Sequence, residues 1–288
     1  MSNRTVLNRQ DSINKEITLI KDEEITRSVI SLFIENYWFA PQDCLLRSIE
    51  TLIWAKRTFI KPILDIGTGD GKMSRFMLSM NQKVDVGIDI DSKAVSNAIK
   101  NKNFGIYDKI FVEDASKMSF PNSSFNTILS NSTFEHIQKD LEAIKEVSRV
   151  LKKDGYFYVT LPLPSHQKFL KRLGVGKEEL HKYNERVVHY HYRSFNEWID
   201  LLKKNNLKVI YSKSYIPLRV EKIWYIFHKI ATFKPYRREL WSYLKDSPYG
   251  KLFPSFIVKP FLKKIILFSV KKAFNGDGAW LFLVARKV

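Results

Sequence analysis

A doubly wound α/β fold, a mostly parallel sheet with helices on both faces, is the architecture this chain predicts. Two observations carry that expectation. From Pro62 onward, short apolar runs rich in β-branched residues alternate with segments whose apolar residues recur at three and four positions. The first run, moreover, ends in a glycine-rich loop that opens a helical pattern, the place where open parallel sheets present a ligand site. At 288 residues, 44% hydrophobic and 14% aromatic, the chain can bury a core of that size.

The strands expected in order are PILDIG from Pro62, VDVGIDI from Val84, KIFVED from Lys109, FNTILSN from Phe125, GYFYVTLP from Gly155, LKVIYSKSY from Leu207 and AWLFLVARKV at the end. Between them KMSRFMLSM, KAVSNAIKN, DLEAIKEVSRVLKKDG and FNEWIDLLKKNN read as helices. Asp91 and Ser92 suit an N-cap, and Gly155 follows the helix carrying Leu141 to Leu151. Two regions stand outside the alternation. Residues 1–60 form an aromatic-rich helical cap, and 217–278 form a basic, aromatic helical insertion between the core, 61–216, and its final strand, 279–288.

The net charge of +18 calls for an anionic partner or surface: nucleic acid, acidic lipid or a phosphorylated substrate. The single cysteine, Cys44, excludes an internal disulfide and a cysteine-rich zinc site. No secretory signal core is visible at the start, and no span reaches about 18 continuous apolar residues. A cytoplasmic protein that does not cross a membrane, but can lie on its inner face, is the expectation.

In LDIGTGDGKM, glycines at 67, 69 and 71 let backbone approach a ligand, and the helix that follows favours an anionic group at its N-terminus. The dinucleotide pattern G-x-G-x-x-G fails, because position 72 is Lys72. A phosphate-binding P-loop fails as well, since Gly71-Lys72 is followed by Met73. At the end of the next strand Asp89 can accept hydrogen bonds from a ribose diol. Asp114, after the third strand, can receive an adenine amino group.

Together, DIGTGDG, GIDID, VEDASKMSFPNSSFNTILSNSTFEHI and EVSRVLKKDGYFYVTLP resemble the class I S-adenosylmethionine-dependent methyltransferases. The resemblance covers about residues 60–215 and returns at the last strand. It implies a Rossmann-like sheet of seven strands, the last antiparallel, and S-adenosyl-L-methionine as cofactor. The implied binding residues are Asp65, Gly67, Thr68, Gly69, Gly71, Asp89, Ile90, Asp114, Ala115, Ser130 and Asn131.

Methyl transfer from a sulfonium needs alignment and exclusion of water, and a hydroxyl nucleophile also benefits from a base. His136, with Glu135 beside it in SNSTFEHI, and His191 in HYHYRSFNEW are the candidates. Some quinone-pathway relatives bind a divalent metal with a further acid three residues before the Glu-His pair. Here that position is Ser132, and no metal site is expected. The Asn/Asp/Ser-Pro-Pro-aromatic motif of base-amine methylases is replaced by Ser130, Asn131, Ser132 and Thr133, and Cys44 precedes the core strands. Oxygen methylation of a small-molecule, glycan or lipid-linked acceptor fits best.

The stretch 217–278 carries thirteen Lys or Arg against four acids. A helix starting at Pro260 would set Lys263, Lys264, Lys271 and Lys272 opposite Leu262, Ile265, Ile266, Val270 and Ala273, a pattern suited to an anionic lipid surface. Both this stretch and Pro162 to Arg193 leave the carboxyl edge of the sheet and can roof the site. RSIE before the first strand and SNSTFEHI after the fourth resemble methyltransferases encoded for bacterial surface-polysaccharide synthesis. An RNA methyltransferase and a cofactor-binding regulatory module are the alternatives.

Overall fold

The computed structural model describes residues 23–55, 57–78, 82–100, 105–246 and 255–288. The N-terminal stretch read above for a signal core lies outside them. The chain divides into two compact units, one of Met1–Ile53 with Ile216–Gly278 and the other of Trp54–Tyr215 with Ala279–Val288.

The second unit holds a seven-stranded mixed sheet, ordered β3-β2-β1-β4-β5-β7-β6. Its strands are β1 (Ile63–Ile66), β2 (Val84–Asp89), β3 (Tyr107–Val112), β4 (Phe125–Asn131), β5 (Leu151–Pro162), β6 (Leu207–Pro217) and β7 (Gly278–Lys287). From β3 across to β5 every pairing is parallel, whereas β5 and β7 run antiparallel, with Val159 opposite Leu283. The strand order reverses beside β1, between β2 and β4, and there a crevice opens at the carboxyl ends. All four residues of β1 are buried, as a central parallel strand requires.

Most connections of this unit are helical. In the first unit α1 (Glu23–Tyr37) and α2 (Pro41–Trp54) precede the sheet, and α3 (Lys72–Leu78), α4 (Ser92–Lys100) and α5 (Asp140–Val150) follow within the second. Then come α6 (Pro164–Arg172), α7 (Lys177–Val187) and α8 (Phe195–Lys204). Ser194 caps α8 with a reciprocal box: its hydroxyl accepts from the Glu197 N–H, and the Glu197 carboxylate accepts from the Ser194 N–H. From α5, Ala143, Ile144 and Val147 bury themselves in one core with Leu64, Ile128, Phe157 and Leu283 of the sheet.

The boundary between α5 and β5 differs from the expectation. The helix ends at Val150, and Leu151 to Gly155 belong to β5 instead of to the helix tail. Pairing of Leu151 with Phe125 overrides the helical propensity of LKK. The ladder then shifts register before Thr127 meets Tyr156, and Asp154 takes a φ of 65° in the irregular stretch.

In the first unit, α1 and α2 are joined by α9 (Leu218–Thr232), α10 (Leu240–Asp246) and α11 (Ser255–Lys272). Helix α11 starts before the expected Pro260, which sits inside it. Its apolar side, Leu262, Ile266, Val270 and Ala273, is buried, and α11 packs along α1. That side is therefore core, which corrects its assignment to lipid. Two lysines reach across to α1, Lys271 to Glu23 at 2.8 Å and Lys259 to Glu35.

Candidate active site

The loop after β1 is pinned to β2 by two backbone bonds, from the Gly67 and Thr68 N–H groups to the Ile88 carbonyl at 2.9 and 3.1 Å. Gly67 has a φ of 81°, and a Cβ there would come within 2.2 Å of Thr133 Oγ1, so both conformation and space demand glycine. Gly69, at φ 54°, has open space where a Cβ would stand. Its N–H donates to Asp89 Oδ2 at 2.7 Å, while Asp89 Oδ1 accepts from the Asp91 N–H at 2.9 Å. The carboxylate at the end of β2 is thereby fixed in place with further lone pairs available.

A cavity of ≈ 580 Å³ opens at this edge. Gly67, Gly69, Asp89, Ile90, Asp114 and Ala115 line one part of it; Ser132, Thr133, His136 and Tyr190 line another. Asp114 is held by an Asx turn, its Oδ1 accepting from the Ser116 N–H at 2.8 Å. The glycine cradle, the two carboxylates and the apolar Ile90 and Ala115 fit an amphipathic, cationic nucleoside cofactor. The N-terminus of α3 lies just beyond the loop.

The other residues assigned to the cofactor do not line this cavity. Asp65 is buried beneath the loop, where its Oδ2 accepts from Ser74 Oγ at 2.8 Å and from the Tyr107 hydroxyl. Burial pushes the Asp65 carboxyl above its ordinary range, and the two hydrogen bonds oppose that shift. Thr68 is also buried, and its carbonyl accepts from the Gly71 N–H at 3.0 Å. The Ser130 hydroxyl donates to the Ile66 carbonyl at 3.1 Å. Asn131 Oδ1 accepts from Trp54 Nε1 at 3.0 Å and Thr160 Oγ1 at 2.8 Å. These side chains brace the floor.

The candidate bases separate in the same way. Phe134 to His136 form a short 3-10 turn after β4. His136 reaches the cavity, and its Nδ1 lies 3.1 Å from the Val188 carbonyl. A carbonyl only accepts, so Nδ1 carries the proton and Nε2 is the acceptor nitrogen of the neutral ring. Glu135 is buried and does not line the cavity. His191 also stands back, its Nε2 at 3.1 Å from the Gln138 carbonyl and 3.6 Å from Asp140 Oδ1.

Between the two histidines of HYH, Tyr190 is the residue that faces the cavity. Its N–H donates to the Glu135 carbonyl at 2.8 Å, and Arg193 grips Asp140 with two bonds of 2.8 Å. The segment 188–193 is thus stitched to 135–140 along its length. Period-two alternation along an extended HYH places Tyr190 on the opposite face from His189 and His191, a signal present in the sequence.

His189 packs its ring edge to face with His136, centroids 4.8 Å apart, and its Nδ1 meets the Tyr192 hydroxyl at 2.7 Å. Burial, with smaller contributions from His136 and His166, lowers its pKa to about 3, so it is neutral across the physiological range. Among the described residues, Glu135, His136 and His189 bring one metal-ligating atom each within 4.8 Å of one another.

Residues 64–159 match the sequence family described as a methyltransferase domain. A probable S-adenosylmethionine-dependent methyltransferase of Mycobacterium tuberculosis is 24% identical over 138 residues, 47% of this chain and 46% of that protein. The chain thus spans about half the length of that relative. The ubiquinone biosynthesis O-methyltransferase of Pelagibacter ubique is 32% identical over 155 residues, 51% of this chain and 61% of its own. In fold, the chain is similar to a SAM-dependent methyltransferase of Thermotoga maritima, described as a possible histamine N-methyltransferase. The TM-score is 0.52 at 16% identity, over 91% of this chain and all of that one.

Proposed function

We propose that this protein transfers a methyl group from S-adenosyl-L-methionine to an oxygen of a glycan, glycolipid or related small metabolite. The cofactor is S-adenosyl-L-methionine, and when bound it supplies an electrophilic methyl group on a sulfonium. In this reading the loop at Gly67 and Gly69 holds its amino-acid end, with the N-terminus of α3 favouring the carboxylate. Asp89 accepts from the ribose diol, and Asp114 and Ala115 receive the adenine. Asp65 acts from beneath, through Ser74 and Tyr107.

The observation that supports oxygen as the acceptor atom is His136. His136 lines the cavity and its Nδ1 donates to the Val188 carbonyl, so in the neutral ring Nε2 is the nitrogen that would take a hydroxyl proton as the new O–C bond forms and the methyl–sulfur bond breaks. The name of the Pelagibacter ubique relative, an O-methyltransferase, points the same way. Tyr190 contributes a wall to the acceptor side and helps exclude water. Surface polysaccharide or its lipid-linked precursors are the acceptors this reading favours. The charge of +18 favours one other reading, RNA as acceptor.

Incubation with methyl-labelled cofactor and fractionated extract tests these readings. Label in glycan or glycolipid, released as an O-methyl sugar, is the expected result. Label in RNA would move the assignment to the second reading, and cofactor binding without label anywhere would leave a regulatory module.

A further inference from the structure

Helix α11 is apolar on two sides. The inner side is core, but the outer side still carries Phe256, Phe261 and Phe268, exposed by 76%, 65% and 53%. Phe261 and Phe268 stand seven residues apart, with exposed Lys264 between them and exposed Lys271 three residues beyond, so all four share one face. Lys272 Nζ lies 4.0 Å from the centroid of the Phe268 ring. A second ridge of the same kind occurs in this unit. Ile226, Ile230, Phe233 and Tyr236 follow one another at helical spacing along α9 and past its end, each roughly half exposed or more. Lys222, Lys234, Arg237 and Arg238 flank them in solvent.

Contiguous exposed apolar side chains mark a surface that meets something. Its chemistry is set by the charge around it. Between Asp246 and Asp277 the sequence contains six lysines and not one acid. Glu23 of α1 pairs with Lys271 and with Arg27 of its own helix, and Glu35 pairs with Lys259. A second copy docking symmetrically would bring lysine rows against lysine rows, an arrangement that like-charge repulsion opposes. A flat anionic surface with an apolar layer just beneath accepts both features, phenylalanines entering at headgroup depth and lysines staying among the phosphates. An 18-residue helix lies in such a plane for about 27 Å. No helix among the described residues is long and apolar enough to cross a membrane.

We infer that the outer face of α11, the ridge of Phe261 and Phe268 with Lys264, Lys271 and Lys272 beside it, docks on an anionic lipid bilayer. The surface is the opposite face of the helix from the one that periodicity alone selects. It does not rest on the methyltransferase reading, because binding to vesicles is measured without turnover.

Flotation of the full chain with vesicles tests it. The parent is expected to float with phosphatidylcholine vesicles containing phosphatidylglycerol, to stay behind with phosphatidylcholine alone, and to release as salt is raised. The pair Phe261→Ser with Phe268→Ser, and separately the pair Lys264→Glu with Lys272→Glu, lower the vesicle-bound to free ratio about tenfold or more. Ile99→Ser, an exposed apolar change on α4, leaves it unaltered. Circular dichroism checks that the variants are folded, and the lysine pair decides the matter if the phenylalanine pair is not. Failure of the parent to float with anionic vesicles overturns the inference. So does flotation of folded variants equal to the parent's, or retention on RNA without any on vesicles.

Discussion

The Nδ1–H of His136 donates to the Val188 carbonyl at 3.1 Å across 52 positions of sequence. The bond favours the neutral tautomer with its proton on Nδ1, and the residue lines the cavity. His136→Ala is therefore expected to lower kcat by about 10² to 10⁴, the usual worth of a positioned base. Cofactor affinity should stay near the parent's, since no cofactor contact is assigned to this ring. Steady-state kinetics with the identified acceptor, alongside calorimetry with S-adenosylmethionine, separates the two effects. An equal loss in binding would make His136 part of the cofactor site.

Asp89 already accepts two backbone bonds, so its substitution should disturb the Gly69 loop as well as any ribose contact. Hydrogen bonds to a charged group are worth about 1.5 to 3 kcal/mol each. Asp89→Ala is expected to weaken S-adenosylmethionine binding by about tenfold to several hundredfold in calorimetry. Unchanged affinity would remove Asp89 from the site.

The Asp140 side chain is 2% exposed, and Arg193 meets both of its oxygens. Removing the guanidinium leaves a buried carboxylate behind, at a cost of about 3 to 5 kcal/mol. Arg193→Ala should show that loss in urea denaturation. The double change Asp140→Leu with Arg193→Met should lose far less, because no charge is then stranded. Equal losses would show that the pair is not coupled.

The glycine loop, Asp89 and Asp114 could be read in the sequence because their chemistry is local: positive-φ turns and strand-end acids advertise themselves within a few residues. The contacts that organise the acceptor side are not local. Val188 meets His136, Tyr190 meets Glu135 and Arg193 meets Asp140 only because 188–193 returns alongside 135–140. Helix α11 shows a different limit. Apolar residues on both of its sides give periodicity two faces to choose between, and only packing along α1 decides which one is core. The same holds for Leu151, where pairing with Phe125 outweighs helix propensity.

Glu135, His136 and His189 offer three ligand atoms spread over as much as 4.8 Å. Zinc bonds to nitrogen and oxygen of about 2.0 to 2.2 Å set tetrahedral neighbours roughly 3.4 Å apart, so the cluster is not preformed for such an ion. Turnover is expected to survive dialysis against a chelator. Loss of activity restored by a divalent ion would assign this cluster to metal.

His189 is the group from which acid should act on stability. In the unfolded chain it titrates near 6.5, whereas burial holds it at about 3 in the folded protein. Between those values the unfolded state binds the proton and the folded state does not, so stability rises with pH there and falls as pH drops below about 6.5. The slope from this one ring is at most about 1.4 kcal/mol per pH unit. His189→Gln removes the titrating group, and its stability should decline less than the parent's between about pH 7 and pH 5. Urea denaturation at several pH values in that window measures the difference. Parallel curves for parent and variant would mean that the ring accepts its proton without unfolding, and that Tyr192, Tyr183 and His136 shift to accommodate it.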